Sequence, residues 1–127
     1  AEAEKYIADN ELGNYVVFTG RRNDIPDLLK LADVVPIVSI EGLSLVGQEA
    51  AAAGVPIVSV NIGGAKELIE VSRNGCTYEY DNAESMADAV VKCMKEKEKH
   101  IEQGKVYAQN STNEMYSEKI KVIFYEI

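Results

Sequence analysis

An α/β fold with a mostly parallel sheet is predicted by three features of the sequence. Short β-branched runs alternate with helical segments, the connections between them are brief, and Gly or Pro stands at most joints. The 127 residues suit one domain or part of one, and 46% hydrophobic content is enough for a single core. One unit, residues 1–127, is the expected organisation, because no long linker, low-complexity tract or internal repeat interrupts the chain.

Ala1 to Leu12 is rich in Ala, Glu and Lys and reads as a helix that Gly13 can terminate. Tyr15 to Thr19 is a β-branched and aromatic run ended by Gly20, the signature of a strand. Asp24 can cap a short helix that begins near Ile25-Pro26 and turns Leu28, Leu29 and Ala32 inward. Val34 to Ile40 is a second apolar run. Pro36 cannot donate to a ladder, so it argues for a strand start, an edge or a distortion.

Leu43 to Ala53 reads as a helix closed by Gly54, with Pro56 just beyond. Pro56 to Val60 is a third strand, followed by Gly63-Gly64 and a short helix over Ala65 to Val71. Cys76 to Tyr80 is a weaker strand. Asn82 or Ser85 can cap a long helix running to about Gln103, and a last helix is expected over Thr112 to Tyr125.

The net charge of −8 disfavours a general nucleic-acid surface, which needs clustered Lys and Arg to displace counterions. A small anionic ligand is still compatible with it, because a local site can be positive on an acidic protein. The densest charge, Lys92 to Lys99, mixes signs at helical spacing and reads as a solvated face. Cys76 and Cys93 lack C-x-x-C spacing and the one histidine, His100, sits among charges, so two free thiols are expected and no metal site. No apolar run approaches a membrane span, and a soluble, cytoplasmic protein is the default expectation.

The stretch that carries chemistry runs from Glu41 to Pro56. Glu41 stands in a loop after a strand and Glu49 eight residues on, inside the following helix. At a rise of roughly 1.5 Å per residue they lie on the order of 10 Å apart. That is about the span from the sugar to the ribose of a nucleoside diphosphate sugar, and each carboxylate can accept from vicinal hydroxyls. Between them lies a helix N-terminus whose free N–H groups and partial positive charge favour a diphosphate. Gly42 clears the backbone for close approach. Taken singly, each carboxylate reads equally as an ordinary exposed helix or loop residue.

Together the motifs resemble the Glu-x7-Glu signature of family 4 retaining glycosyltransferases of the GT-B fold (glycosyl transferases group 1). Ser39, Glu41-Gly42, Glu49-Ala50, Gly54, Pro56, Gly63-Gly64 and Glu67-Leu68-Ile69 fall in register with that family. Phe18-Thr19-Gly20 and Ala32-Asp33-Val34 match it upstream, and Asn74-Gly75 downstream. The resemblance spans about residues 14 to 95. It implies a Rossmann-like sheet with flanking helices, the C-terminal half of a GT-B enzyme, which binds the nucleotide-sugar donor.

By the same resemblance Glu41 would hold the donor sugar near the reaction centre and Glu49 the ribose. Backbone N–H groups near Leu43, Ser44 and Leu45 would cradle the diphosphate, and Arg21 and Arg22 would lie beside the base. The donor is a substrate, so no cofactor and no metal are implied.

Two departures stand out. Pro36 comes early, and Val38-Ser39 occupies the family's Pro-Ser place. The family's C-terminal domain also begins with two further strands, carrying a Gly-rich turn and a basic pair, which have no counterpart before Tyr15. The chain is therefore expected to be N-terminally incomplete, to lack the acceptor-binding N-terminal domain, to be inactive alone and to self-associate through an incomplete sheet. In the full enzyme the expected location is cytoplasmic, peripheral to a membrane at most.

Two other classes compete. One is a non-catalytic transferase-like module acting as an interface or regulatory subunit; the other is a GT-B-fold nucleotide-sugar epimerase. D-x-D, P-loop and G-x-G-x-x-G motifs are absent, and Ser, Cys and His are too scattered for a hydrolase triad.

Overall fold

A computed structural model describes residues 2–40, 42, 44–112 and 114–115. Within them three parallel strands, β1 (Val35–Ile37), β2 (Ile57–Val60) and β3 (Gly75–Tyr78), lie side by side in chain order. Val35 and Gly75 both pair with Ile57, so the three strands start level. Helices alternate with them: α1 (Glu2–Asp9), α2 (Ile25–Leu31), α3 (Leu45–Ala53), α4 (Gly63–Ser72), α5 (Ala83–Lys95) and α6 (Lys97–Gln109). No helix among the described residues is long and apolar enough to cross a membrane. The α/β class with flanking helices is as the sequence predicts.

β2 is the centre, and all four of its residues are buried. Its alternation splits the core in two. Ile57 packs with Ile37, Ala50, Val55, Ala65, Leu68, Ile69 and Leu29 on the side of α2, α3 and α4. Val58 and Val60 pack with Cys76, Tyr78, Ala89 and Cys93 on the side of α5. At roughly 1.5–3 kcal/mol for each large apolar side chain buried, these two clusters are the main driving force for the fold.

Pro36 sits inside β1. The Val35 N–H donates to the Pro56 carbonyl at 2.9 Å, so Val35 and Ile37 face β2 and the Pro36 nitrogen faces the sheet's open edge. An edge position is where a missing N–H costs least.

Asn74-Gly75 has a structural reason of its own. Asn74 is fully buried and its Nδ2 donates to the Val55 carbonyl at 2.9 Å. A Cβ on Gly75 would stand 1.9 Å from the Ile57 carbonyl oxygen, so no side chain fits there. α6 crosses over Asn74 at Gly104, where a Cβ would meet the Asn74 amide at 2.7 Å.

Four expectations are corrected. The first helix ends at Asp9 rather than Leu12, because backbone and side chain of Asn10 both turn back to the Tyr6 carbonyl. Glu11, not Gly13, then takes the left-handed conformation (φ 56°) before a 3₁₀ turn at Leu12–Asn14. Tyr15 to Thr19 forms no strand: no described neighbour completes a ladder, and Tyr15, Val17 and Phe18 are exposed.

The helix expected to run to Gln103 breaks at Glu96, whose φ of −102° and ψ of 19° close α5. The break lets α6 leave α5 and pack on α3 and α4, held also by the Lys97–Asp33 ion pair. The helix expected over 112–125 lies, beyond its first residues, outside the described residues and is not among these corrections.

Candidate functional site at the carboxyl ends of the strands

β1 and β2 both deliver the chain to the same edge of the sheet, where α3 and α4 begin. Open parallel sheets bind ligands outside the carboxyl ends of their strands. The start of α3 is fixed by Ser44, which is buried and accepts the Gly47 N–H on its Oγ at 3.1 Å. Ser44 is thus committed as the N-cap. The geometry of a helix end leaves the N–H groups of Leu45 and Val46 without an intrahelical acceptor.

Gly47 holds this end close to the core, since a Cβ there would meet Leu68 at 2.7 Å and Ile37 at 3.0 Å. Gly54 closes the helix with φ 74°, as expected of a C-terminal glycine. α4 opens at Gly63, whose φ is 76°, after Ile62 and without a side-chain cap.

A cleft of about 940 Å³ begins at this edge between Gly42, Ser44 and Gly64. It continues past Gln48 and Glu67 and runs between α4 and α6 to Arg73 and Lys99. Its volume is that of a small-molecule site. Glu67, part of the Glu67-Leu68-Ile69 match, and Gln48 carry no site role in the sequence reading. The cleft wall they share is made by α6 returning onto α4, which no local spacing announces.

The predicted residues divide. Gly42 and Ser44 line the cleft. Leu45 is exposed at the start of α3, with its side chain directed away from the core. Glu49 is exposed on the same outer face of α3 and is not a lining residue of the cleft. Arg21 is exposed in the segment before α2. Arg22 makes two hydrogen bonds to Asp24, with Nε 2.8 Å from Oδ1, and is engaged there rather than in the cleft. That contact holds the Asp24 carboxyl below its usual range and the Arg22 guanidinium above its own. Glu41 and Leu43 lie outside the described residues.

The structure also joins three residues that the sequence reading held apart. Cys76 on β3, Cys93 on α5 and His100 on α6 are all buried, with their ligand atoms within 4.8 Å of one another. Both cysteines are free thiols, as expected. Burial pushes both thiols up, Cys93 to about 12. His100 is not part of a solvated face. Its seven-residue spacing from Cys93 is the one sequence signal that both could point inward.

Residues 1–96 match the family described as Glycosyl transferases group 1. N-acetyl-alpha-D-glucosaminyl L-malate synthase of Bacillus anthracis is 29% identical over 117 residues, which is 88% of this chain and 31% of that protein. A GDP-mannose-dependent alpha-(1-6)-phosphatidylinositol monomannoside mannosyltransferase of Mycobacterium tuberculosis is 30% identical over 110 residues, 79% of this chain and 29% of that one. The crystal structure of Anabaena Alr3699/HepE in complex with UDP superposes with a TM-score of 0.84 at 26% identity. The match covers 99% of this chain and 36% of HepE. HepE in complex with UDP-glucose gives 0.77 at 29% identity over 86% of this chain and 31% of HepE. The chain thus spans about a third of the length of the relatives it matches.

Proposed function

We propose that this chain, which belongs to the glycosyl transferases group 1 family, binds the nucleotide-sugar donor for retaining hexosyl transfer within a larger glycosyltransferase. One observation carries the reading: two helix N-termini and the glycines Gly42 and Gly64 converge on one cleft at the carboxyl ends of β1 and β2. Free N–H groups and the positive ends of two helix dipoles favour a diphosphate at that place. The likeness to HepE, solved with UDP and with UDP-glucose, supports the same ligand class.

In this reading the N–H groups of Leu43, Ser44 and Leu45 hold the diphosphate, and Gly42 lets it approach. Glu49 takes the ribose on the outer face of α3, outside the cleft, and Glu41 takes the hexose hydroxyls. Arg21 stands by the base; Arg22 would first have to leave Asp24. Acceptor selection and the basic groups that neutralise the departing nucleoside diphosphate are assigned to the remainder of the enzyme, so this portion is inactive alone.

The exposed apolar residues Val38 and Ile40 after β1, and Leu45 and Val46 at the start of α3, fit a surface that further chain covers. A cytoplasmic location is proposed with this function.

A non-catalytic module is the second reading. The position of Glu49 and both arginines away from the cleft favours it. Calorimetry against UDP, GDP, ADP and their glucose derivatives separates the two. The donor-site reading predicts that one nucleotide series binds, and that Glu41→Ala weakens the sugar-bearing member more than the plain diphosphate. Absence of binding by the chain and by its longer parent would leave the module reading standing.

A further inference from the structure

The most concentrated chemistry outside the cleft is the buried group of Cys76, Cys93 and His100. Its side chains come from three elements, so the tertiary fold, not a local motif, assembles it. The Cys76 Sγ lies 3.7 Å from the His100 Nε2. The His100 Nδ1 lies 3.1 Å from the Arg73 carbonyl oxygen, which can only accept, so Nδ1 carries the proton there. Nε2 is left with its lone pair aimed at the cysteines. A ring nitrogen tied to a carbonyl while the other faces two sulfurs is the arrangement by which proteins orient a metal-binding imidazole.

A fourth donor stands at the solvent side. Glu96, at the break between α5 and α6, places its Oε2 3.8 Å from the His100 Nε2. Its side chain is 39% exposed, while that of His100 is 6% exposed. A surface cavity of about 520 Å³ reaches Cys76, His100 and Glu96 and gives an ion a way in.

From these positions we infer that Cys76, Cys93, His100 and Glu96 form a four-coordinate site for zinc(II). Zinc takes tetrahedral sulfur, nitrogen and oxygen ligands at about 2.3, 2.0 and 2.0 Å. Tetrahedral geometry then sets adjacent sulfur and nitrogen ligands about 3.6 Å apart, and nitrogen and oxygen about 3.3 Å apart. The Cys76–His100 spacing of 3.7 Å fits this as it stands, whereas Glu96, which is outside the group of atoms lying within 4.8 Å of one another, must swing inward from Lys99 to complete the tetrahedron. Two thiolates with one imidazole favour zinc over magnesium or calcium, which prefer oxygen.

The charges close as well. Two thiolates and a carboxylate around a dication leave one negative charge, and Lys92 and Lys99 line the same cavity to offset it. Lys99 now pairs with Glu96 at 3.3 Å and would release it to the metal. Binding breaks two S–H bonds and forms two S–Zn bonds, the protons leaving to solvent.

The site would tie β3, α5 and α6 together at the helix break, a structural role separate from donor binding. The test is to strip the reduced full chain with a chelator and titrate it with cobalt(II) as a spectroscopic probe, then with zinc(II). One equivalent should bind, giving thiolate-to-cobalt absorption in the near ultraviolet and tetrahedral bands in the visible, both displaced by zinc. Glu96→Gln lies outside the core and should fold normally, yet weaken binding roughly 10-fold. Cys76→Ser should remove about half of the thiolate absorption. Failure to bind one equivalent, cobalt binding without the thiolate band, or full affinity in both variants would overturn the site.

Discussion

The two edges of the sheet are built differently. At β3 the chain is sealed: Cys76 and Tyr78 are buried under α5, Asn74 is buried under α6, and Gly75 has no room for a methyl group. At β1 the chain is open. Three residues pair with β2 on one side only, and Val38 and Ile40 just beyond the strand are exposed. The contrast is one of cover: β3 is enclosed by α5 and α6, whereas β1 contributes Ile37 to the core and leaves its outer edge exposed. Substitutions at the packed residues around β3 should therefore be costly for folding, and those at exposed residues outside both core clusters nearly silent.

The largest expected effect is at the sealed edge. Gly75→Ala sets a methyl group against the Ile57 carbonyl and should cost at least about 3 kcal/mol, read as a collapse of the denaturation midpoint or failure to fold. A mild effect would mean that β2 and β3 can separate without loss. Gly104→Ala should cost about 2 kcal/mol by crowding the buried Asn74 amide, with an unchanged denaturant slope.

Ser44→Ala, at the boundary between the two regions, loses the hydrogen bond to the Gly47 N–H and should cost about 1 kcal/mol. Val17→Ser, in the exposed segment before α2, should change stability by less than about 0.5 kcal/mol. A loss above that figure would show that Val17 is covered in solution and would break the contrast.

The same contrast explains what the sequence made legible. β2 could be read because Pro56 and Gly63 bracket a run buried on both faces, and α3 because Ser44 and Gly54 mark its two ends. Tyr15 to Thr19 has strand composition, but a strand also needs a neighbour, and composition does not supply one. The break at Glu96 was hidden because Lys and Glu favour helix on both sides of it.

At the site, Gly42 and the N-terminus of α3 were readable from one motif. Gln48 and Glu67 were not, because the cleft exists only once α6 has returned to α4. Cys76, Cys93 and His100 escaped for the same reason: they meet through a strand and two helices rather than through spacing.

The most direct test of the donor-site account is calorimetric titration of UDP into the full chain and into Glu49→Ala, with Glu84→Ala, an exposed residue of α5 that does not line the cleft, as the control. A charge-assisted contact to the ribose is worth about 1.5–3 kcal/mol, so the account predicts at least roughly 10-fold weaker UDP binding in Glu49→Ala and little change in the control. Equal affinity in wild type and Glu49→Ala would contradict it.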